Sequence, residues 1–335
     1  MRIAIVKLSA LGDIVHAMVV LQFIKKFNKH ISIDWFVDEE FKELLEHHHQ
    51  INEVHVLKIR KAKRNKSLFG LFNEFHNAYK LEPYDIVVDM QGLIKSAILA
   101  RIIKSPVTIG FDKKSLREGI ASFFYNKTFN YGYDKNIIER NIAIISFALG
   151  FKVSKDEIDN KLPFLFSSSD KKIKNLSLVK KNILIVPGAS NKSKCYPAAK
   201  FVKLINIVDA NFFVLWGNEN EKKIAKRLQI SSSNKVNMCD QMSLNPLINL
   251  ISQMDMVIGG DTGPSHMAWA LNKPSIILFG PTPGYRNSYT NEINKRIESD
   301  SEVNPFKLSK EDFSIGNIDE NHIAKIAKRL LKKSN

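Results

Sequence analysis

Short apolar runs alternate with helically spaced apolar positions along the first half of the chain. Residues 2–8 form a compact apolar run, and Val20, Leu21 and Ile24 then recur at the spacing of a helix face. This pattern predicts strands at 2–8, 31–37, 53–59, 85–89 and 107–110, and helices around 40–47, 68–81, 93–103 and 138–149. Strands separated by helices favour a parallel, doubly wound α/β sheet.

A second series of the same kind follows a stretch without clear periodicity. Residues 164–181 are rich in Ser and Lys, which is typical of a linker. Strands are predicted at 182–186, 211–215, 255–258 and 274–279, each opening onto a polar or glycine-containing loop. Because carboxyl ends of parallel strands share one sheet edge, four loops should converge there: 187–190, 216–219, 261–263 and 280–284.

The two series predict two Rossmann-like domains. We assign residues 1–163 to an N-terminal domain, 164–181 to the linker and 182–313 to a C-terminal domain. Residues 314–335 are expected to form a basic C-terminal helix that packs back toward the N-terminal domain. A length of 335 residues with 44% hydrophobic content suits two medium-sized cores.

The cysteines and the hydropathy of the chain limit the cellular compartments in which the protein is expected. Cys195 and Cys239 are the two cysteines, and they stand in no metal-ligand or disulfide pattern, which predicts free thiols in a reducing compartment. Lys7 and Asp13 interrupt the N-terminal apolar stretch before a secretion signal is complete. No uncharged apolar run reaches about eighteen residues, so a soluble or surface-associated protein is expected.

The charge of the chain predicts an anionic partner. There are 50 Lys and Arg against 34 Asp and Glu, a net charge of +16. Basic residues are concentrated in 58–66 and 325–333, and neither block contains an aromatic residue. Platforms for single-stranded nucleic acid combine aromatic with basic residues, so these blocks favour phosphate or carboxylate groups. For 325–333, the solvated face of a helix is the alternative interpretation.

Residues 261–271, DTGPSHMAWAL, carry the most informative chemistry. They follow an apolar run and a glycine pair, which predicts a buried strand turning tightly into a helix. Gly263 permits close backbone approach, Pro264 suits a first helical turn, and a helix N-terminus binds phosphate. His266 in the same turn could donate to a diphosphate, whereas Asp261 could cap the turn or bind a hydroxyl. The alternative is a capped junction with an incidental histidine.

Two frequent nucleotide-binding fingerprints are absent from the sequence. There is no G-x-G-x-x-G after the first strand and no G-x-x-x-x-G-K-[ST], which argues against a dehydrogenase or a P-loop enzyme. His47, His48 and His49 would point in different directions from a helix, so we interpret them as a surface-exposed polar stretch and not as a metal site. Two nucleotide-type folds in tandem, the absence of these fingerprints and a phosphate-binding turn in the second half together favour a nucleotide-dependent group transferase.

Several separate motifs resemble those of the lipopolysaccharide heptosyltransferases. They are GDIVH at 12–16, DMQGLIKSA at 89–97, ERN at 139–141, KCYP at 194–197, WG at 216–217 and DTGPSH at 261–266. The resemblance covers nearly the whole chain. It implies the GT-B fold class, an α/β architecture of two facing Rossmann-like domains with a cleft between them. The first domain would bind the acceptor and the second the ADP-sugar.

The resemblance also implies an activity. This is the inverting transfer of L-glycero-D-manno-heptose from ADP-heptose to Kdo of Kdo-lipid A in lipopolysaccharide inner-core synthesis. The protein would be cytoplasmic and peripherally associated with the inner membrane. No cofactor, no metal and no nucleic-acid partner are expected. Two alternatives stay open: another nucleotide-sugar glycosyltransferase of the same family, and a nucleic-acid-binding protein suggested by charge alone.

The implied reaction assigns roles to individual residues, and the acceptor-side cations are assigned by matching their charge to the Kdo carboxylate and the lipid A phosphates. Asp13 is the implied base for the acceptor hydroxyl, with a helix N-cap as its alternative. Donor-binding roles fall on Ser190, Lys194, Glu219, Met242, Asp261, Thr262, Gly263 and His266. Acceptor-binding roles fall on Lys7, Arg60, Lys61, Lys63, Arg64, Gln91 and Arg117. Among the donor residues, Glu219 would hold the ribose hydroxyls, Met242 the adenine, and Lys194 and His266 the diphosphate.

Overall fold

The computed structural model describes residues 1–333, which form two compact α/β units. Unit 1 ends at Phe164 and unit 2 begins at Leu165, so the division lies at the start of the predicted linker, 164–181. Residues 334 and 335 of the predicted C-terminal helix lie outside the described residues.

Unit 1 is built on a parallel six-stranded sheet. Its strands are β1 (Arg2–Val6), β2 (Ser32–Asp38), β3 (Glu53–Leu57), β4 (Ile86–Asp89), β5 (Val107–Phe111) and β6 (Lys127–Phe129). Its helices are α1 (Leu11–Met18), α2 (Val20–Phe27), α3 (Ile59–Arg64), α4 (Leu68–Lys80), α5 (Ile94–Ile102), α6 (Ile137–Leu149) and α7 (Lys155–Asp159). Short 3-10 helices lie at Glu39–Leu44, Lys113–Ser115 and Gly119–Phe124.

Unit 2 repeats this architecture. Its strands are β7 (Asn182–Val186), β8 (Asn211–Val214), β9 (Val236–Met238), β10 (Met256–Gly260), β11 (Ser275–Phe279) and β12 (Asn294–Glu298). Its helices are α8 (Ala198–Ile207), α9 (Glu219–Ser231), α10 (Leu244–Ser252), α11 (Gly263–Ala270), α12 (Gly284–Asn287) and α13 (Glu320–Lys333), with 3-10 helices at Lys192–Lys194 and Ser314–Asn317. Among residues 1–333, no helix combines the length and the apolar character that crossing a bilayer requires.

Both sheets are wound in the same way. The strand orders are β3-β2-β1-β4-β5-β6 and β12-β11-β10-β7-β8-β9, and every pair is parallel. The direction of winding reverses between β1 and β4 in unit 1 and between β7 and β10 in unit 2. The predicted doubly wound parallel sheets are therefore confirmed.

The central strand of unit 1 explains why the apolar runs predicted strands correctly. Ile3, Ala4, Ile5 and Val6 of β1 are all fully buried. Ala4 and Val6 pack in one cluster with residues of α4 and α5, and Ile3 and Ile5 point to the opposite face, as alternate residues of a strand do. A parallel sheet covered on both faces requires such a continuous apolar run.

Elements with weak patterns differ from the prediction. Residues 40–47, predicted as a helix, form the 3-10 helix Glu39–Leu44, and its buried residues Phe41 and Leu44 are three apart, which suits a three-residue turn. Strands β6 and β9 have three residues each, too few to show an alternation. Helix α3 lies within the basic block 58–66, where the many charges hid its short apolar face.

Helix α13 packs inside unit 2. Its apolar residues join a core cluster with Phe201 and Leu204 of α8; they are Ile323, Ala324, Ala327, Leu330 and Leu331. The apolar face of α13 is therefore covered within unit 2. That the basic helix packs back toward the N-terminal domain stays a prediction. Lys325, Lys328 and Arg329 are exposed, as in the alternative interpretation of a solvated basic face.

A buried carboxylate holds the amino ends of three strands of unit 1 together. Asp34 of β2 is fully buried, and its Oδ2 accepts hydrogen bonds from Arg2 Nη2 at 2.6 Å and Tyr84 Oη at 2.8 Å. Its Oδ1 accepts from Asn52 Nδ2 at 3.2 Å, and His55 Nε2 lies 3.5 Å from Oδ2. Burial by itself raises the pKa of Asp34, but these hydrogen bonds outweigh it and hold the pKa at about 2.

Asp34→Asn is expected to lower the free energy of unfolding by about 2 kcal/mol near neutral pH, since the pKa falls from 3.8 to about 2 on folding. Because the folded-state pKa is depressed, this stabilisation is complete above about pH 5 and is lost as the pH falls through about 4 toward 2. Urea titrations of both proteins at neutral pH and near pH 3 measure it. The difference in stability should shrink to about half at the lower pH; a constant difference would contradict the assignment.

Candidate active site

Polar loops meet at the switch point of each sheet. The loops after β1 and β4 flank the reversal of strand order in unit 1, and the loops after β7 and β10 flank it in unit 2. In open α/β sheets, ligands bind at the carboxyl ends of the strands beside such a point. These loops carry Gln91 in unit 1 and Lys194 and Asp261 in unit 2, and the loop after β1 leads to Asp13 in α1.

Asp13 lies in the first turn of α1. Its side chain is exposed, and Oδ2 accepts a hydrogen bond from the N–H of Ala10 at 3.2 Å. Ala10 is the N-cap residue and Asp13 the third residue of the helix, so its capping contact comes from inside the first turn and not from the N-cap position. Oδ1 of this exposed side chain accepts a hydrogen bond from no residue among 1–333.

Two side chains connect the β1 loop with the β4 loop across the switch point. Gln91 Oε1 accepts from the N–H groups of Leu8 and Ser9, both at 3.1 Å. Lys7 is buried, and its Nζ donates to the carbonyl of Met90 at 2.9 Å. Both predicted acceptor residues therefore shape the loop that leads into α1.

Asp89 is the buried anchor of the β4 loop. Its Oδ1 accepts from the N–H groups of Gln91 at 2.8 Å and Gly92 at 3.1 Å, and its Oδ2 from Ser96 at 2.9 Å and Tyr125 at 2.7 Å. Gly92 has a φ of 70°, which favours glycine. Burial raises the pKa of Asp89, and its donors are all uncharged. The start of the 89–97 motif is thus held in place by hydrogen bonds from uncharged groups.

The basic block 58–66 forms α3 and the turn that follows it, at the carboxyl end of β3. Lys61, Lys63 and Arg64 are exposed, and within residues 1–333 their side chains form no ion pair. Arg60 differs, because its Nη1 donates to Glu40 Oε2 at 2.6 Å. Three of the four predicted cations are therefore available to an anionic ligand, and Arg60 is held by a carboxylate.

Lys95, in the first turn of α5, belongs to the same basic group. It is half-buried, and burial together with the charges of Arg60 and Lys63 lowers its pKa. Cations that repel one another gain more from a shared anion than isolated cations do. The 89–97 motif contains Lys95, but the sequence assigned it no role.

Arg117 is exposed in the segment after β5, and the buried Arg140 fixes that segment. Arg140 Nη2 donates to the carbonyl of Ser115 at 2.9 Å, and its Nη1 donates to the carbonyls of Tyr131 and Gly132. The ERN motif at 139–141 therefore supports the loop that carries Arg117.

In unit 2, one buried carboxylate gathers side chains from three loops. Asp261 follows β10, and its Oδ2 accepts from Lys194 Nζ at 2.7 Å, Thr282 Oγ1 at 2.9 Å and Asn287 Nδ2 at 3.3 Å. His266 Nε2 lies 2.9 Å from Oδ1. Lys194 comes from the loop after β7, and Thr282 and Asn287 follow β11. Asp261 thus joins the loops on both sides of the switch point.

The charge of Asp261 is matched by that of Lys194. Burial by itself raises the pKa of Asp261, but the hydrogen bond with His266 and the charge of Lys194 outweigh it, so the pKa lies well below its usual range. The Lys194 side chain is only 15% exposed. An ammonium has three N–H donors, and two of those on Lys194 have no acceptor within residues 1–333.

Close packing of backbones brings Lys194 to this carboxylate. A Cβ on Gly260 would lie 2.6 Å from the carbonyl oxygen of Lys194, which is too close for any side chain. Glycine at the end of β10 therefore lets the turn Lys192–Lys194 rest directly on the strand.

Helix α11 begins directly after this carboxylate. Pro264 has no N–H, and the N–H groups of Ser265 and His266 point to the carbonyl of Thr262 at 3.1 and 3.3 Å. The N–H of Gly263 finds no acceptor in the described part of the chain, and the positive end of the helix dipole lies here. This turn and Lys194 together form an arrangement that suits a phosphate.

The other predicted donor residues lie in neighbouring loops of unit 2. Ser190 is exposed in the loop after β7. Met242 is half-buried and lines a pocket beside α10. Glu219 is exposed and pairs with Lys222 at 3.4 Å. The carboxylate that reaches the loop after β8 is Glu221, which accepts from the N–H of Gly217 at 2.7 Å.

Four residues of the site were not predicted from the sequence. Thr282 lies in the loop 280–284, which the sequence predicted at this edge of the sheet. Its hydroxyl could therefore have been predicted as part of the site. Asn287 and Lys95 lie on helices where nothing in the spacing marks them. Glu221 lies two residues, or about half a helical turn, after the predicted Glu219. A motif in the sequence does not indicate which of the two carboxylates faces the loop.

The consecutive histidines do not share one environment. His48 is buried, and burial lowers its pKa to about 4, whereas His47 and His49 are exposed. The interpretation of a surface-exposed stretch is therefore wrong for His48, because the 3-10 helix ends before it and the turn directs it inward. Among residues 1–333, one group of side chains has the spacing of metal ligands: Asp34, Glu53 and His55. Within this group, Asp34 already accepts the hydrogen bonds described above.

Comparison with known proteins identifies relatives along the whole chain. A family model described as Glycosyltransferase family 9 (heptosyltransferase) matches residues 74–311. The Lipopolysaccharide heptosyltransferase 1 of Campylobacter coli is 41% identical over 348 residues, covering 98% of this chain and 99% of that protein. The protein of the same description from Escherichia coli strain K12 is 29% identical over 297 residues, covering 86% of this chain and 91% of that one.

The fold agrees with these matches. The solved structure of E. coli heptosyltransferase WaaC with ADP has a TM-score of 0.79 at 22% identity and covers 98% of this chain and 100% of that one. This similarity confirms the predicted GT-B fold class. The family match and the near-full-length relative lead to one conclusion: the chain belongs to glycosyltransferase family 9, the heptosyltransferases.

Proposed function

We propose that this protein transfers L-glycero-D-manno-heptose from ADP-heptose to Kdo of Kdo-lipid A, with inversion at the anomeric carbon, in lipopolysaccharide inner-core synthesis. The observation that carries the proposal is the Asp261 cluster, which presents Lys194 and the N-terminus of α11 at the switch point of unit 2. Further support comes from 41% identity to a Lipopolysaccharide heptosyltransferase 1.

Lys194 and the first turn of α11 would hold the diphosphate. When the bond between the anomeric carbon and the phosphate oxygen breaks, ADP leaves with an added negative charge. Preorganised cations and N–H groups are most effective where such charge develops. Lys194 offers two donors and Gly263 one, with His266, Thr262 and Ser190 nearby in sequence. We propose that no metal ion or other cofactor takes part.

The nucleoside would extend toward the loops after β8 and β9. Glu219 or Glu221 would accept hydrogen bonds from the ribose hydroxyls, and Met242 would pack near the adenine. Glu221 has the better support, because its carboxylate already contacts the loop after β8.

Thr282 and Asn287 would keep Asp261 satisfied during the reaction. When Lys194 also donates to the diphosphate with its two remaining N–H groups, its charge is shared between two anions, and a buried carboxylate with weaker pairing is costly. The two neutral donors and His266 then hold the loop in place.

Asp13 would remove the proton from the acceptor hydroxyl. An inverting transfer needs a base beside the hydroxyl, on the face of the anomeric carbon opposite the departing phosphate. Asp13 is exposed, has an unused oxygen and follows a loop held by Gln91 and Lys7.

The acceptor would be recognised by cations. Its Kdo carboxylate and lipid A phosphates match a group of basic residues in unit 1, of which Lys95 is half-buried and the others are exposed: Lys61, Lys63, Arg64 and Arg117. Lipid A is anchored in a bilayer, so the protein would associate peripherally with the cytoplasmic face of the inner membrane.

Asp13→Asn should lower kcat by about 10²–10⁴-fold, as expected when a general base is lost. The affinity for ADP should stay unchanged, because the change removes an interaction used only in the transition state. ADP-release kinetics and calorimetric titration with ADP measure the two quantities. Asp156→Asn, another acid in a first helical turn, serves as control. Loss of ADP affinity with intact turnover would make Asp13 structural.

Thr282→Val should lower kcat/KM for ADP-heptose by about tenfold, since one hydrogen bond to a buried carboxylate is lost. Thr282→Ser keeps the hydroxyl and should restore most of the activity, and Lys194→Gln should weaken both ADP binding and turnover. Steady-state kinetics of the three variants test this. If the valine and serine variants behave alike, the hydroxyl has no role in positioning Asp261.

Lys95 should make acceptor binding depend on pH. Because its pKa is lowered, the charged form is complete at low pH and is lost as the pH rises, earlier than for an ordinary lysine. The KM for the acceptor should therefore increase with pH, and Lys95→Arg should remove that increase. Lys95→Met should raise KM most at low pH, where the wild-type lysine is charged, and approach the wild-type KM as the pH rises. Acceptor KM values across a pH series test this. A pH dependence that persists in the arginine variant would exclude Lys95 as its source.

A further inference from the structure

Helix α4 has apolar residues on two sides, and only one side is covered. The inner side packs in the core of unit 1 through Leu71, Phe75 and Ala78. The outer side carries large apolar residues at the spacing of one helix face, and they are strongly exposed: Leu68 by 82%, Phe69 by 74%, Phe72 by 63% and Tyr79 by 54%. A surface helix of a soluble protein normally carries polar residues there. Such a patch marks an interaction site.

Basic residues flank this patch along the chain, and we call them the basic rim. The segment 58–80 contains seven basic residues and one acid, Glu74; the basic residues are Lys58, Arg60, Lys61, Lys63, Arg64, Lys66 and Lys80. Lys61, Lys63, Arg64 and Lys66 are exposed and form no ion pair within residues 1–333. Aromatic and aliphatic side chains beside unpaired cations are typical of helices that lie in a membrane interface.

We propose that the outer face of α4 docks unit 1 on an anionic lipid bilayer. Leu68, Phe69 and Phe72 enter the boundary between headgroups and acyl chains, and the basic rim contacts lipid phosphates. The inference rests on the proposed function, in which the acceptor is anchored in a lipid bilayer. It adds an apolar contact with the membrane to the contacts that the cations alone would make. Two copies of this chain would bring two basic rims together, so charge favours a lipid surface over a dimer.

The position of α4 in the sheet fits this role. Its N-terminus follows α3 at the carboxyl end of β3, the edge at which the loop leading to Asp13 also lies. Docking there holds the exposed cations of α3 at the level of lipid headgroups. A headgroup-borne sugar then reaches unit 1 without leaving the bilayer surface.

Vesicle sedimentation without any substrate tests the surface. The wild-type protein should bind phosphatidylglycerol-containing vesicles and bind pure phosphatidylcholine vesicles weakly. The double variant Phe69→Ser, Phe72→Ser should reduce the partition coefficient about tenfold or more, since two large apolar side chains are lost. The control Leu178→Ser, Val179→Ser changes two fully exposed apolar residues that lie next to Lys180 and Lys181, and it should bind like the wild type.

Several results would overturn the proposal. Unchanged binding of the Phe69 and Phe72 variant, or an equal loss in the control, means that α4 is not the docking surface. A wild-type dimer that the double variant converts to a monomer assigns the patch to a second copy.

Fluorescence gives an independent readout of insertion. Trp35, Trp216 and Trp269 are buried, so Phe69→Trp introduces an exposed indole. Its emission should shift to the blue with anionic vesicles and be quenched by brominated acyl chains. Absence of both effects contradicts insertion even where sedimentation shows binding.

The outcome can be separated from that of the proposed function. With a soluble, acyl-free Kdo acceptor, the double variant should retain wild-type turnover and lose activity only on vesicle-borne acceptor. Loss of turnover on the soluble acceptor would place the patch in the catalytic machinery and overturn docking. A wild-type protein that binds vesicles but transfers no heptose refutes the activity and leaves the docking surface standing.

Discussion

The buried Asp261 carboxylate is the constraint on which the proposed donor site of unit 2 depends. A buried charge is tolerated only when it is paired and hydrogen-bonded, so Lys194, His266, Thr282 and Asn287 cannot move independently of it. Three loops are locked at the switch point of unit 2 as a result. The ammonium of Lys194 and the N–H of Gly263 are in place before a ligand arrives, which is the condition for effective electrostatic catalysis.

The switch point of unit 1 is organised differently. Asp89 is equally buried, but uncharged donors surround it and burial raises its pKa, whereas the pKa of Asp261 is lowered beside a cation. The first carboxylate therefore serves as a scaffold, and the second keeps a cation ready. Asp13 is exposed, and one of its carboxylate oxygens accepts no hydrogen bond from residues 1–333, which the proposed role as a base requires.

The sequence predicted those structural features that depend on residues close together in the chain. The buried run of β1 and the glycine-marked turn into α11 are visible in a few adjacent residues, and His266 contacts Asp261 only five positions away. Thr282 and Asn287 lie 21 and 26 residues from Asp261, and the topology alone brings them together. The same holds for Lys95 and the basic group of α3. Spacing along one chain carries no signal for such contacts, and the three-residue strands β6 and β9 are too short to show a period.

The most direct test of the donor site is a crystal structure of the protein with ADP. The diphosphate should accept hydrogen bonds from Lys194 Nζ and from the N–H of Gly263, while Thr282, Asn287 and His266 still contact Asp261. A nucleotide bound away from residues 261–266, with Lys194 unchanged on its carboxylate, would contradict the account.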